Sequence, residues 1–196
     1  MKFHPNAIQT YSGEAYDFQN PDPATIKLRD IAHALSNACR YAGHTARFYS
    51  VAEHSVLVMQ TLKAWGYGER IQRVGLMHDA HEAYVWDCPR PFKPLLGETF
   101  REFGDKADEV ICEALDLPGP DYFHAPYVKE ADTTVLVAEA TLLMHHGPEA
   151  WSEWKDKYSK MPPLPDGLQI VGLEPWKAEN AFLHYAHALG FDTEGA

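Results

Sequence analysis

The stretch Arg70-Ile-Gln-Arg-Val-Gly-Leu-Met-His-Asp-Ala-His-Glu-Ala-Tyr-Val85 decides the fold, because it predicts a buried helix that also carries ionisable groups. At about 100° per residue, His78 and Glu82 fall on the same stripe as the apolar residues Ile71 and Val74. Burying ionisable groups without partners costs several kcal/mol. We therefore expect a compensating ligand, and a metal ion is the first candidate.

Helical spacing continues on both sides of this stretch, so the chain is predicted to be all-α. Ser50-Val-Ala-Glu53 is a capping-box signature that places His54 in the first turn of the preceding helix. Downstream, a long apolar helix from Tyr127 to Met144 carries Asp132 on its inward face. Three further helices are predicted: one that Asp30 caps and that ends before Gly43, one from about Glu98 to Leu115, and a last one with Trp176, Phe182, Tyr185 and Leu189 on its apolar face.

Length and composition predict one domain over residues 1–196. A chain of 196 residues that is 45% hydrophobic can bury one sizeable core. Its net charge of -11 argues against stable nucleic-acid binding, which needs concentrated Lys and Arg. No apolar stretch approaches the ~20 residues of a membrane span, and no signal-like segment opens the chain. We expect a soluble cytoplasmic protein without a membrane partner, whose three cysteines are reduced thiols.

Four metal-competent side chains lie on three predicted inward stripes: His54, the adjacent pair His78 and Asp79, and Asp132. Taken singly, an inward His or Asp is usually a hydrogen-bonded core residue. Taken together, two imidazoles and two carboxylates form a nitrogen and oxygen set that suits Zn, Mn, Fe or Co, and suits Mg less well. The conjunction therefore predicts a metal site formed between helices.

These residues resemble the ligand set of the HD-domain phosphohydrolases, helical metalloenzymes named for the His-Asp doublet. The segments that carry the resemblance are Val51-Ala-Glu-His-Ser55, Leu76-Met-His-Asp-Ala-His-Glu82 and Lys129-Glu-Ala-Asp132. The resemblance implies an HD-domain helical bundle with its core at about 24–146. A loop-rich N-terminal arm precedes this core, and a C-terminal helical extension, 147–196, follows it.

The loop after the doublet narrows the resemblance to the nucleotide-cleaving branch. It reads Asp87-Cys-Pro-Arg-Pro-Phe-Lys93, similar to the Asp-x-Pro-x-Pro-x-Lys loop of bacterial 5'-deoxynucleotidases and phage dATP triphosphohydrolases. The arm and the segment from Asp30 to Ser50 are closer to the phage type. The resemblance therefore implies a dNTP (dATP) triphosphohydrolase that releases deoxynucleoside and triphosphate. A 5'-deoxynucleotidase acting on dNMP is the alternative.

The resemblance also implies roles for particular residues. A divalent ion, Co, Zn, Mn or Fe, would be held by the metal ligands and would activate water, with Mg as an option for the nucleotide phosphates. Glu82 and Asp87 would be the catalytic acids and bases. The substrate-binding residues would be Arg40, Lys93 and Lys129 around the phosphates, with Tyr41 and His44 also contacting the nucleotide.

Base preference stays open, because the deoxynucleotidases carry Arg-Trp where this chain has Arg40-Tyr41. The implied partner is a small-molecule nucleotide, and the implied assembly is a homo-oligomer, in the host cytoplasm if a phage encodes the protein. HExxH, Walker, GxGxxG and GxSxG motifs do not occur in the sequence. A cyclic-nucleotide phosphodiesterase and a non-catalytic nucleotide-binding HD module remain as further alternatives.

Overall fold

The computed structural model describes residues 4–150 and 159–192, and most of them are helical. A short antiparallel hairpin, β1 (Ala7–Gln9) and β2 (Ala15–Asp17), forms the arm. The helices that follow in this part of the chain are α1 (Leu28–Asn37), α2 (Val51–Ala64), α3 (Glu69–Met77), α4 (Glu82–Val85), α5 (Glu98–Ala114), α6 (Pro126–Leu143) and α7 (Pro175–Ala188). Short 3-10 turns lie at Pro23–Thr25, Arg40–Gly43, Lys93–Leu95, Pro120–His124 and Pro148–Ala150. The prediction of a mostly helical fold is confirmed.

Helix α2 is the centre of the molecule. It packs against α1, α3, α6 and α7, and eleven of its fourteen residues are buried. A helix with so many buried residues lies in an enclosed position, although Glu53, His54, Ser55 and Thr61 are polar. Because α2 carries His54 near its first turn, this enclosure places an imidazole in the interior.

The predicted cap of α2 is confirmed, although only half of the capping box forms. Ser50 Oγ accepts the backbone N–H of Glu53 at 3.1 Å. The buried Glu53 carboxylate does not return to Ser50; it accepts the backbone N–H groups of Val171, Gly172 and Leu173 at 2.6–3.0 Å. The segment before α7 is thereby fixed beside the turn that carries His54.

The prediction of one continuous helix over 70–85 is wrong, because the chain breaks at the His-Asp doublet. Helix α3 ends at Met77 and α4 begins at Glu82. Between them, the N–H groups of Ala80 and Glu82 bond three residues back, to Met77 and Asp79, instead of four. This tighter turning lets His78, Asp79 and Glu82 face one region, which a regular helix does not do for adjacent residues.

Two smaller predictions are also corrected. Asp30 lies inside the first turn of α1 and does not cap it, because Lys27 holds the cap position. The buried Asp30 carboxylate instead accepts the backbone N–H and the hydroxyl of Ser12, at 2.6 and 2.8 Å, and so fixes the hairpin to α1. In α7, Phe182 is buried as expected, whereas Trp176 is 59% exposed and lies off the apolar face.

The predicted C-terminal extension is described only in part, since 151–158 and 193–196 lie outside the described residues. No helix in the described ranges has the length and apolar character needed to cross a membrane. All three cysteines lie in described residues and are free thiols: Cys39 is half-buried, and Cys88 and Cys112 are buried.

Candidate metal centre

Three separate elements bring His54, His78 and Asp132 together in the interior. His54 comes from α2, His78 follows the last residue of α3, and Asp132 lies in α6. Their ligand atoms all lie within 4.8 Å of one another. His54 Nε2 is 3.2 Å from Asp132 Oδ1, and His78 Nε2 is 4.0 Å from the same oxygen. This buried group could hold a metal ion.

Asp79 lies beside the same two imidazoles. Its Oδ2 is 3.2 Å from His78 Nε2 and 3.6 Å from His54 Nε2. The structure therefore brings together all four residues that the sequence predicted as ligands. Two nitrogens and two carboxylate oxygens form a donor set that suits a divalent transition metal.

Each imidazole is fixed through its other nitrogen. His54 Nδ1 lies 2.6 Å from Glu139 Oε1, and His78 Nδ1 lies 2.8 Å from the carbonyl oxygen of Gly75. A carbonyl and an ionised carboxylate only accept, so Nδ1 is the donor in both rings and Nε2 is the atom that faces Asp79 and Asp132. Both Nε2 atoms are buried, and neither makes a hydrogen bond with the described residues. The rings are oriented as metal-binding histidines are.

The electrostatics of the group favour a positive charge at its centre. Burial opposes ionisation of Asp132 and Asp79, but the neighbouring imidazoles outweigh it and hold both pKa values well below their usual range. For His54, burial and Arg40 lower the pKa, yet Glu139 and Asp132 outweigh them and raise it to about 9. The surroundings therefore attract either a proton or a metal ion.

A cavity of about 270 Å³ opens beside the four ligands. Its described lining combines acids, cations and an apolar wall: Arg40, Tyr41, Asp79, Glu82, Asp87, Cys88, Pro89, Arg90, Pro91, Lys93, Lys129, Asp132, Leu136, Ala140 and Met144. Both predicted catalytic acids and four of the five predicted substrate-binding residues are among them. The fifth, His44, is exposed and lies outside this lining.

Glu82 and Asp87 lie close to the candidate metal ligands. Glu82 is buried, its Oε1 is 3.6 Å from Lys93 Nζ, and its Oε2 has no hydrogen-bond partner. Burial and the nearby carboxylates of Asp79 and Asp87 raise the pKa of Glu82 well above its usual range. Burial also raises the pKa of Asp87, with Arg40 acting against it. Both groups can therefore hold a proton at a higher pH than an exposed carboxyl.

The cations around the cavity differ in their environment. Arg40 is buried, with its Nε 3.2 Å from Glu139 Oε2 and its Nη1 3.6 Å from Asp79 Oδ2. Lys93 is half-buried. Lys129 lines the cavity although the residue is largely exposed. Its long side chain reaches the cavity from the surface, as lysine stems commonly do.

Strained backbone borders the cavity on two sides. Tyr41 adopts a φ of +56°, and Trp86, which directly precedes Asp87, adopts +55°. Non-glycine residues in this region cost about 1–3 kcal/mol each and tend to occur at functional sites. At Trp86 the unusual turn ends α4 and leads the chain to Asp87 at the cavity.

Glu139 is a site residue that the sequence analysis did not assign. It is fully buried on α6, and its carboxylate accepts hydrogen bonds from His54, Arg40, Tyr41 and Tyr49. Burial raises its pKa, but Arg40 and His54 outweigh this and lower it to about 2. A signal was present, because Glu139 follows Asp132 by two turns on the same predicted apolar stripe.

Comparison with known proteins places the chain in a family. No family model matches it. It is 40% identical over 132 residues to YfdR, an uncharacterized protein of Escherichia coli (strain K12), across 67% of this chain and 69% of YfdR. It is 35% identical over 136 residues to RCAP_rcc00048, an uncharacterized protein of Rhodobacter capsulatus, across 66% of this chain and 68% of that protein. At this identity and coverage, the chain belongs to the family of YfdR and RCAP_rcc00048.

Proposed function

We propose that the protein is a metal-dependent phosphohydrolase of the HD-domain type that acts on deoxynucleotides. The observation that carries the proposal is the pair of buried, unpartnered Nε2 atoms of His54 and His78, which meet Asp79 and Asp132 beside a cavity. Polar nitrogen atoms left without hydrogen-bond partners in the interior are costly unless something binds them. A divalent ion bound by these nitrogens would offset that cost.

The four ligands would hold Co, Zn, Mn or Fe, with Mg as an option for the phosphates of the nucleotide. When bound, such an ion polarises the phosphoryl group and lowers the pKa of water, which makes hydrolysis feasible near neutral pH. Glu82 is placed to accept a proton, because its Oε2 is free and its pKa is raised. Asp87, which lines the same cavity, is placed to exchange a proton with the leaving group.

The charges around the cavity support a phosphorylated substrate. Although the protein carries a net charge of -11, Arg40, Lys93 and Lys129 all line this one cavity. Arg can engage two phosphate oxygens at once, and Lys acts as a point charge. Leu136, Ala140 and Met144 line the same cavity from α6 and its end and leave an apolar surface for a sugar and base.

A dATP triphosphohydrolase is the first candidate, since four cations beside the candidate metal site, Arg40, Arg90, Lys93 and Lys129, favour more than one phosphate. A 5'-deoxynucleotidase is the second, because the Asp87 to Lys93 loop is similar in both classes.

The test is to load the purified protein with Co or Mn, incubate it with a panel of dNTPs and dNMPs, and identify the phosphate released. We expect inorganic triphosphate from dATP. Orthophosphate from dAMP would assign the deoxynucleotidase instead. A protein that binds metal and nucleotide but leaves every substrate intact would be a non-catalytic binding module, which contradicts the proposal.

A further inference from the structure

One fully buried carboxylate, that of Glu139, joins the metal ligands to the substrate side of the cavity. Its two oxygens have separate partners. Oε1 lies 2.6 Å from His54 Nδ1 and accepts the hydroxyl of Tyr49 at 2.8 Å. Oε2 accepts Arg40 Nε at 3.2 Å and the hydroxyl of Tyr41 at 3.0 Å. One oxygen therefore contacts a metal ligand, and the other contacts two residues that line the cavity.

The Oε1 contact bears directly on how His54 would bind a metal. A carboxylate that accepts the Nδ1–H of an imidazole fixes the ring and its tautomer, and increases the electron-donating power of Nε2. Because His54 Nε2 has no partner of its own, the 2.6 Å contact to Glu139 is the interaction that aims it.

The Oε2 contacts bear on the geometry of the cavity wall. Arg40 and Tyr41 belong to a 3-10 turn in which Tyr41 and Ala42 both adopt positive φ, 56° and 51°. Such a backbone persists only where its surroundings over-determine it. The two side-chain hydrogen bonds to Glu139 supply part of that restraint and hold the Arg40 guanidinium against the cavity.

We propose that Glu139 is a positioning residue that holds His54 for the metal ion through one oxygen and the Arg40–Tyr41 pair for the substrate through the other. The inference rests on the proposed function for the existence of the metal and the substrate. It adds that the two binding events depend on one shared carboxylate.

The test compares Glu139→Gln with Glu53→Gln. Both changes remove the charge of a buried carboxylate, but among the described residues the Glu53 side chain accepts hydrogen bonds only from the backbone amides of residues 171–173. We expect Glu139→Gln to lower the Co²⁺ affinity, measured by chelator competition, by about 10–100-fold. The visible absorption spectrum of bound Co²⁺ should shift as well. Glu53→Gln should lower the melting temperature and leave affinity and spectrum unchanged.

Two further variants separate the two oxygens and guard against misfolding. Glu139→Asp keeps the negative charge in the interior but draws both oxygens back by one methylene, so it should fold and also bind Co²⁺ more weakly. Tyr41→Phe removes a contact to Oε2 and one to the Leu136 carbonyl but none to Oε1, so it should raise KM for the nucleotide at unchanged Co²⁺ affinity.

Each contrary result would overturn a different claim. Wild-type Co²⁺ affinity in both Glu139 variants would overturn this inference and leave the proposed function intact. A parallel loss of Co²⁺ affinity in Tyr41→Phe would overturn the division between the two oxygens. A wild-type protein that binds no divalent ion would overturn the proposed function, and the inference with it.

Discussion

Each imidazole at the candidate metal centre depends on a second group for its orientation. His78 is held by a backbone carbonyl and His54 by a carboxylate. The carbonyl belongs to Gly75, only three residues away, so the orientation of His78 is set locally. The orientation of His54 depends on a residue 85 positions later in the chain, so it is set only once the fold is complete.

Glu82→Gln should separate metal binding from turnover. Glutamine keeps the size of the side chain but cannot accept a proton, so we expect kcat to fall by roughly 10²–10⁴-fold while Co²⁺ affinity stays near that of the wild type. The matched control is Glu69→Gln, because Glu69 is an exposed residue in the first turn of α3. A Glu82→Gln protein with wild-type kcat would show that another group accepts the proton.

Acid should compete with the metal ion at His54. Burial and Arg40 lower the pKa of this imidazole, but the carboxylates of Glu139 and Asp132 raise it to about 9 in the metal-free protein. Metal on Nε2 must displace that proton, so the apparent affinity should fall about tenfold for each pH unit below 9 and level off above it. Chelator competition between pH 6.5 and pH 9.5 measures this slope, and a flat profile would contradict the assignment of His54 as a ligand.

The raised pKa of His54 also determines how the stability of the metal-free protein changes with pH. A histidine whose folded pKa is about 9 against a reference value of 6.5 contributes stability fully below 6.5, and loses that contribution as the pH rises through 9. Urea unfolding of the metal-free protein across this window should therefore show a decline that added Co²⁺ suppresses.

At the scale of helices, the sequence predicts the start of a helix more accurately than the break between two consecutive helices. The sequence predicts Ser50 as a cap because the bond to the Glu53 amide joins residues only three apart. The break between α3 and α4 was missed because apolar periodicity is the same on both sides of it. What changes there is the hydrogen-bond spacing, from four residues to three, and a hydrophobic pattern does not report it.

The same distinction explains which site residues were predicted. His54, His78, Asp79 and Asp132 were found because each is an ionisable residue in an apolar helical pattern. Glu139 has that pattern too, but its role depends on Tyr49 and Arg40, which are 90 and 99 positions away in the chain. Contacts of that range arise from packing, and a single sequence does not encode them in its local periodicity.

Gly75→Ala should destabilise the contact between α2 and α3, although alanine favours helices by about 1 kcal/mol over glycine. A Cβ atom at this buried position would overlap Leu62 Cδ1 and lie 3.4 Å from Met59 Cα. We expect a net loss of about 1–2 kcal/mol in the free energy of unfolding. Leu62→Val should relieve part of it, so a double-mutant cycle by urea denaturation should give less than additive loss. If the two losses in free energy of unfolding were strictly additive, residues 75 and 62 would not be in contact.

At the scale of the whole molecule, the C-terminal segment is held to the central helices at two places. One lies near the cavity and the other lies away from it. Near the site, Glu53 holds residues 171–173 through their amides. On another part of the molecule, Arg73 of α3 reaches the ends of two other helices. Its Nη2 donates to the carbonyl of Leu115 at 2.8 Å, and its Nη1 donates to that of Leu189 at 3.2 Å. These residues cap the C-termini of α5 and α7.

Arg73→Lys should therefore cost more than a conservative change normally does. An ammonium group cannot reach both carbonyls in the forked geometry of the guanidinium, and it loses the stacking over Phe191, whose ring centre lies 3.9 Å from the guanidinium carbon. We expect a loss of roughly 1–3 kcal/mol in the free energy of unfolding by urea denaturation, with Co²⁺ affinity unchanged because Arg73 is not part of the described cavity lining. Arg101→Lys, at an exposed position of α5, is the matched control and should stay within about 0.5 kcal/mol of the wild type. Equal stability of the two variants would mean that α5 and α7 are held to α3 by apolar packing alone.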